Sequence, residues 1–478
     1  MRINNFGRNV SFAAKHFYEP DSEEEILELL TRHRGDAVRV VGRLHSWSDA
    51  IVGDDVILDL RKMNSVRVER RNGEPWAIIA AGAQIKHIVQ ELDSKHGLTL
   101  PTLGLITEQT IAGAAATGTH GSGKHSLSHY IDEIRIATYD PSTGEATVRC
   151  IVEGDELRAA RCSLGCLGIV LSVGIRCRKQ YLIEQHFRIV KHLSPALDSE
   201  GEYPQQQFFL LPFRYDYLIQ HRQETTKKIS WMTHLHRWYW FLSTDVALHL
   251  VLIGIRRWLR SHVLMRLFYR HLVPLTIIRG WKVSDKSQNL LTMEHHLFRH
   301  IEVEIFVPRR HLSKALAFVQ ELLQYLDGSR ASIGQATWDA LERHGLHTMI
   351  RESPSYTHHY PICVRKVLAD DTLISMASSD EEAYYAISFI SYDSPTNRAS
   401  FHSFANVLVR STAHLFNARP HWGKYCPVDA LAAERLYPKL ATFRAICEQY
   451  DFQGVFRNKW ASKVVWNEPT SAPSRVAS

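Results

Sequence analysis

The sequence lacks most marks of a secreted scaffold, a membrane span or a nucleic-acid partner. Its cysteines, Cys150, Cys162, Cys166, Cys177, Cys363, Cys426 and Cys447, are scattered, with no Cys-x-x-Cys and no histidine pair at zinc spacing. An odd, unpaired set predicts reduced thiols in a cytosol. The longest apolar run, Val246 to Ile255, is about half of the roughly 20 residues a bilayer requires. The opening stretch, MRINNFGRNVSFAAKHFYEP, has no apolar core and no twin arginine, so no export signal is expected. Lysine and arginine number 57 against 50 acids, a net +7, and no dense basic block stands out. Nucleic acid is therefore not an expected partner. No G-x-G-x-x-G follows a strand and no G-x-x-x-x-G-K-[ST] occurs, which argues against a Rossmann site and a P-loop. There is no internal repeat.

What remains is an ordinary globular composition, 45% hydrophobic and 22% charged, over 478 residues. That is about three domain lengths, enough to bury a deep, dry site. The 27 histidines make the net charge climb steeply below about pH 6.5.

Along the chain, Ser22 and Glu25 fit a capping box for a helix that stops near Gly35. Short apolar runs at 37–41, 56–60 and 77–82 read as strands, and a helix follows over 85–95. Residues 101–123 are dense in Gly, Ala and Thr, and small side chains let backbone N–H groups approach a ligand. A second small-residue turn at 163–168 leads into a strand over 169–173. Residues 200–290 are rich in aromatics and arginine. Within them, 234–280 reads either as a buried helical layer or as a surface lying on a membrane. A strand over 301–307 precedes a helix from Pro308 to Leu326, whose stripe is Leu312, Ala315, Leu316, Val319, Leu322, Leu323 and Leu326. Strands are expected again at 362–368, 373–377 and 384–391, and a disordered tail at 466–478.

Five motifs stand in order: GRLHSWSD (42–49), TIAGAAATGTHGSG (110–123), SLGCLGIVLSV (163–173), VRKVLADD (364–371) and RPHWGK (419–424). Together they resemble the aldonolactone oxidase and alditol oxidase family of FAD-linked oxidoreductases, which includes gulonolactone, arabinonolactone and xylitol oxidases. The likeness covers nearly the whole chain and is weakest over 185–290.

The resemblance implies an α+β fold, with a two-part flavin-binding domain of the vanillyl-alcohol-oxidase type and a mixed α/β cap domain. The flavin domain would span 1–180 and return over 412–465, around a cap at 181–411. It implies FAD bonded covalently through His45, with Gly42, Arg43, Leu44, Ser46, Trp47 and Ser48 around the ring. A hydrogen-bonded loop histidine beside noncovalent FAD is the other reading. Thr110, Gly113, Thr117, Gly118, Thr119, His120, Gly121 and Ser122 would cradle pyrophosphate and ribityl, unless they form only a tight structural turn. Gly165, Gly168 and Ile169 would wall the adenine or simply begin a strand. Gly104 would flank the reactive flavin edge, where a small residue goes with oxygen access.

Lys424 resembles the cation beside the flavin pyrimidine, and His421 would brace the substrate side or the flavin. Arg365 resembles a substrate-facing arginine of a Glu-Val-Arg motif, here Cys363-Val364-Arg365. Ser388 stands about where alditol oxidases carry a histidine, and Glu304 resembles a cap-strand acid or is an ordinary strand glutamate. The implied reaction oxidises a sugar lactone, polyol or related secondary alcohol by hydride transfer to flavin, with dioxygen reduced to hydrogen peroxide. Two alternatives are a dehydrogenase using a quinone or cytochrome, and a tailoring oxidoreductase acting on an unrelated alcohol. Cytoplasmic location, with membrane contact through 234–280, completes the reading.

Overall fold

The computed structural model describes residues 2–255, 262–278, 280–293, 299–392 and 395–468. Ser22 caps the helix Glu23–Arg32 as expected, its hydroxyl accepting the Glu25 N–H, while the Glu25 carboxylate accepts the Asp21 N–H at 3.0 Å. The strands His16–Tyr18, Val56–Asp59 and Val38–Val41 form a parallel sheet with Val56–Asp59 in the centre. Burial on both faces accounts for that strand's nearly continuous apolar run. A second sheet is antiparallel, in the order Ala146–Ile151, Ile131–Tyr139, Ile169–Arg176, Glu74–Ala80, Val66–Arg71. The last of these is missing from the sequence reading. Four of its six residues are charged, and only Val66 and Val68 face the core.

An eight-stranded antiparallel sheet follows. Its order is Val283–Lys286, Leu182–Val190, Tyr217–Thr225, Gln207–Leu210, Ile362–Val367, Tyr384–Tyr392, His300–Pro308, Arg419–Pro420. Side chains alternate across a strand, so IEVEIFV at 301–307 divides cleanly. Val303, Ile305 and Val307 join Ile387, Phe389, Val364 and Ile362 against the helices Leu312–Leu326 and Pro395–Phe416. Glu302, Glu304 and Phe306 face the other way. The register carries that second face across neighbouring strands: Glu304 pairs with Ser388 and Ser388 with Cys363, while Gln220 pairs with Gln207 and Gln207 with Arg365.

Two expectations are corrected. Leu373–Ala377 is buried but not a strand. The Asp370 carboxylate accepts from the Thr372 N–H and the Ser375 hydroxyl, winding the segment into turns. Its carbonyls at Ile374 and Met376 accept the Trp422 indole and the Arg419 guanidinium instead of a partner strand. The helix expected from Pro308 begins at Leu312, because Pro308 closes the preceding strand and Arg309–His311 form one tight turn.

The aromatic and basic stretch folds as short helices, including Thr233–Trp240, His249–Gly254 and His262–Leu267. Leu252, Met265, Phe268, Tyr269 and Val273 are buried together, while Trp231, Leu235, Trp238 and Leu250 are exposed. Among the described residues no helix is long and apolar enough to cross a membrane. Residues 256–261 and 279 of that stretch, and 469–478 of the expected tail, lie outside the described residues. Trp466 is described, and its indole N–H donates to Glu448 at 2.9 Å.

Candidate active site

Two cavities meet inside the molecule. The first is a slot of about 150 Å³, lined by residues 42–47, Thr110, Gly113, Thr117, Gly165, Gly168, His421 and Lys424, all expected from sequence. The loop carrying His45 is bolted in place. Asn5 donates to the Ser46 carbonyl at 2.7 Å, Phe6 N–H to the Leu44 carbonyl at 2.8 Å, and Trp47 N–H to the Gly423 carbonyl at 2.9 Å. The His45 ring stacks on Phe6 at 4.9 Å. Leu44 is held at φ +57°, a left-handed conformation that costs a bulky residue about 1–3 kcal/mol. That kink turns the chain at the residue before His45.

The remaining expected cofactor residues lie elsewhere. Ser48 is buried and caps the turn Asp49–Ile51. Gly104 packs against Thr119, where a Cβ would come within 2.7 Å of Cγ2. Gly118 packs against Met376, Gly121 against the Leu103 carbonyl, and Ser122 donates to the Gln206 carbonyl. Ile169 is fully buried in its strand. Thr119 and His120 line the second cavity.

That second cavity, of about 1060 Å³, shares Gln109, His421 and Lys424 with the first. Its floor is the polar face of the large sheet. Arg365 donates to Glu304 at 2.8 Å, and His120 Nε2 lies 3.4 Å from the other Glu304 oxygen. Burial alone would raise the Glu304 carboxyl. His120 and Arg365 override it and hold the group well below the usual carboxylate range. Because a carbonyl only accepts, His120 Nδ1 donates to Gly121 at 3.0 Å. His421 Nδ1 accepts the Gly423 N–H at 3.0 Å, which places its own proton on Nε2, 4.0 Å from Glu304. Burial pushes His421 well below its ordinary value, so it is neutral. His120, Glu304 and His421 offer ligand atoms within 4.8 Å of one another. The Arg365 cation already on Glu304 competes with any metal ion there.

Lys424 ion-pairs with Glu302 and lies 4.5 Å above the Trp47 ring, and Glu302 also accepts the Ser388 hydroxyl. Cys363 sits 3.8 Å from Gln207 Oε1, its thiol pushed by burial up to about 11 and hence neutral. Sequence reasoning missed Glu302, although the I-E-V-E alternation places it on the same face as Glu304. It also missed Arg39, which is buried in the wall of the first cavity. Arg39 donates to the carbonyls of Ala50, Leu164, Gly165 and Phe456, and no local pattern signals that.

Comparison with known proteins settles the family. An FAD-binding-domain model matches residues 14–146, and the D-arabinono-1,4-lactone oxidase model matches residues 205–464, more than half the chain. The chain belongs to the D-arabinono-1,4-lactone oxidase family. It is 47% identical over 462 residues, 96% of each chain, to a long-chain alcohol oxidase of an uncultured marine euryarchaeote. It is 26% identical over 480 residues, 98% of each chain, to the L-gulonolactone oxidase of Mus musculus. Cholesterol oxidase from B. sterolicum superposes with a TM-score of 0.73 at 14% identity, over 97% of this chain and 96% of its own. The shared architecture is the α+β vanillyl-alcohol-oxidase type.

This family member is an FAD-dependent oxidoreductase, and the first cavity fits that cofactor. At Gly42 a Cβ would come 2.4 Å from Thr110 Oγ1, and at Gly113 and Gly423 about 3 Å from threonine hydroxyls, so the glycines let these wall segments pack closely around the slot. Gly165 and Gly168 hold φ +72° and +142°, conformations that favour glycine.

Proposed function

We propose that this chain oxidises an alcohol carried on a long apolar chain, with dioxygen as the electron acceptor. The observation that carries the reading is the division of the larger cavity. Arg365, Glu304, Ser388 and Cys363 make a compact polar floor, Gln185, Gln207, Gln220 and Arg222 make a polar side, and Leu105, Phe187, Phe209, Leu218, Trp240 and Met293 supply an apolar stretch of wall. At the floor, a neutral thiol and a hydroxyl stand where a sugar-oxidising relative is expected to carry an acid and a histidine. That substitution leaves few groups to hold several hydroxyls.

In this reading residues 1–180 and 412–465 hold FAD and residues 181–411 cap it. His45 tethers the cofactor covalently, and Lys424 and His421 meet it where the cavities join. FAD bound there supplies the hydride acceptor. Glu304, kept ionised by its neighbours, accepts the hydroxyl proton. Arg365 steadies the oxygen as it becomes a carbonyl, and the apolar wall keeps water from the carbinol. The test is a substrate series on the purified yellow protein with a peroxide readout. Activity per mole is expected to rise from 1-butanol to 1-dodecanol and to exceed that on L-gulono-1,4-lactone and xylitol. Lactone turnover that outpaces every alcohol would overturn it.

The helices over the cavity mouth support a second element of the proposal, contact with an anionic bilayer. Residues 226–280 carry nine lysines and arginines against one acid, Asp245. Among the described residues of this stretch, Trp231, Leu235, Trp238, Leu250, Leu272 and Leu275 are exposed, and Arg237, Trp240 and Phe241 line the cavity. Substrate would then pass from lipid to floor without crossing water. Co-sedimentation with phosphatidylglycerol vesicles, weakened by salt and by Trp238→Ser with Leu235→Ser, is the expected result. Seven free thiols support a reducing compartment.

A further inference from the structure

One group on the cavity wall has no part in the alcohol chemistry. Arg222, on the strand Tyr217–Thr225, is 5% exposed and lines the large cavity beside Gln185, Gln207 and Gln220. The three amides form a chain: Gln207 donates to Gln220 at 2.7 Å and Gln220 to Gln185 at 3.0 Å. Arg222 joins it through Nε, which donates to Gln185 at 3.3 Å. Among the described residues no carboxylate pairs with Arg222 and no acceptor meets its Nη atoms. Its charged neighbour is another cation, Arg365, and the nearby Cys363 is a neutral thiol. Glu304 balances Arg365 and Glu302 balances Lys424. Arg222 is thus a buried positive charge of the cavity with no counterion among the described residues. Burial lowers it only to about 10, so it stays protonated at neutral pH. A buried charge without a counterion is disfavoured, and a planar guanidinium with both Nη atoms unused matches a carboxylate.

We propose that Arg222 binds a substrate carboxylate, so that the preferred substrate is a hydroxy acid: carbinol at Glu304 and Arg365, carboxylate on Arg222, and the chain between them running past Gln207 and Gln220. This rests on reading the cavity as the alcohol site. The two arginines stand on strands separated by one other, which sets their Cα atoms on the order of 12 Å apart. A flexible methylene chain spans that gap.

The experiment compares 1-decanol, 10-hydroxydecanoate and the non-reacting decanoate on the holoenzyme. The expected KM for 10-hydroxydecanoate is roughly tenfold or more below that for 1-decanol, with kcat little changed, and decanoate competes with both. Arg222→Gln should raise KM for the hydroxy acid roughly tenfold more than KM for the alcohol, and Arg222→Lys should restore part of the difference. Equal KM values in the native enzyme, equal losses on both substrates in Arg222→Gln, or tighter inhibition by decyl sulfate than by decanoate would each overturn the assignment. Should Arg222→Gln not fold, decanoate competition on the native enzyme decides alone. If 1-decanol is not oxidised, the alcohol reading fails. If it is oxidised while decanoate does not compete, only the carboxylate subsite fails.

Discussion

At the scale of single residues, the site depends on a strained turn and on paired charges. Leu44 accepts a costly backbone angle, and a dense set of loop hydrogen bonds keeps it there. Such strain persists where surrounding structure over-determines it, and here it aims the next residue, His45, at the slot. If His45 carries the covalent bond, native protein keeps its yellow colour through acid precipitation and His45→Ala releases its flavin to the supernatant. Equal release from both would leave a noncovalent cofactor and sink the tether. Glu304 offers the complementary test. Glu304→Gln keeps its size but cannot take a proton, so the anaerobic rate of flavin reduction should fall by about 10²–10⁴-fold while flavin content holds. A loss of flavin in step with the rate would instead mark Glu304 as structural.

At the scale of elements, the two faces of the eight-stranded sheet divide stability from chemistry. The apolar face packs on Leu312–Leu326, and all seven residues of the stripe read from its sequence are buried. Leu322 is fully buried there, so Leu322→Ala should cost about 2–5 kcal/mol in urea unfolding, with KM unchanged in the folded fraction. A cost below about 1 kcal/mol would mean that the helix is not seated as described. These elements were legible because period 3.6 and period 2 are local signals. The same logic misled at Leu373–Ala377, where an apolar run reports burial alone and Asp370 decides the backbone. It was silent at Val66–Arg71, whose charges hide a strand. The loop motifs supply much of the lining of the first cavity. The second cavity was mostly illegible, because Gln185, Gln207, Gln220 and Arg222 come from three strands that only the register brings side by side.

At the scale of the whole molecule, the end of the chain closes the structure over its beginning. The Val38 N–H donates to the Val455 carbonyl, Thr138 to the Tyr450 carbonyl, and the Asn458 side chain to the carbonyls of Asp49, Ala50 and Val52. Phe456 completes the wall of the first cavity. The turn that permits this is organised by Asp451, whose carboxyl accepts the Val455 and Phe456 N–H groups at 2.8 and 2.9 Å. Burial raises Asp451 from 3.8 to about 6, against the pull of those hydrogen bonds. A group whose folded value is raised gives stability that is full below pH 3.8 and is lost as pH climbs through 6. The change is worth about 3 kcal/mol at one pKa unit per 1.36 kcal/mol. Asp451→Asn does not titrate, so its cost relative to the native chain should be largest near pH 4 and shrink by about that amount by pH 7. Urea unfolding of both proteins across that range measures the difference, and a cost independent of pH would show that Asp451 is already ionised when folded. The same shift should reach the cofactor, because the turn carries Phe456 and its contact with Arg39. Flavin retention in folded His45→Ala, where only noncovalent contacts hold the cofactor, is then expected to weaken as pH rises from 4 to 7, in parallel with its unfolding midpoint.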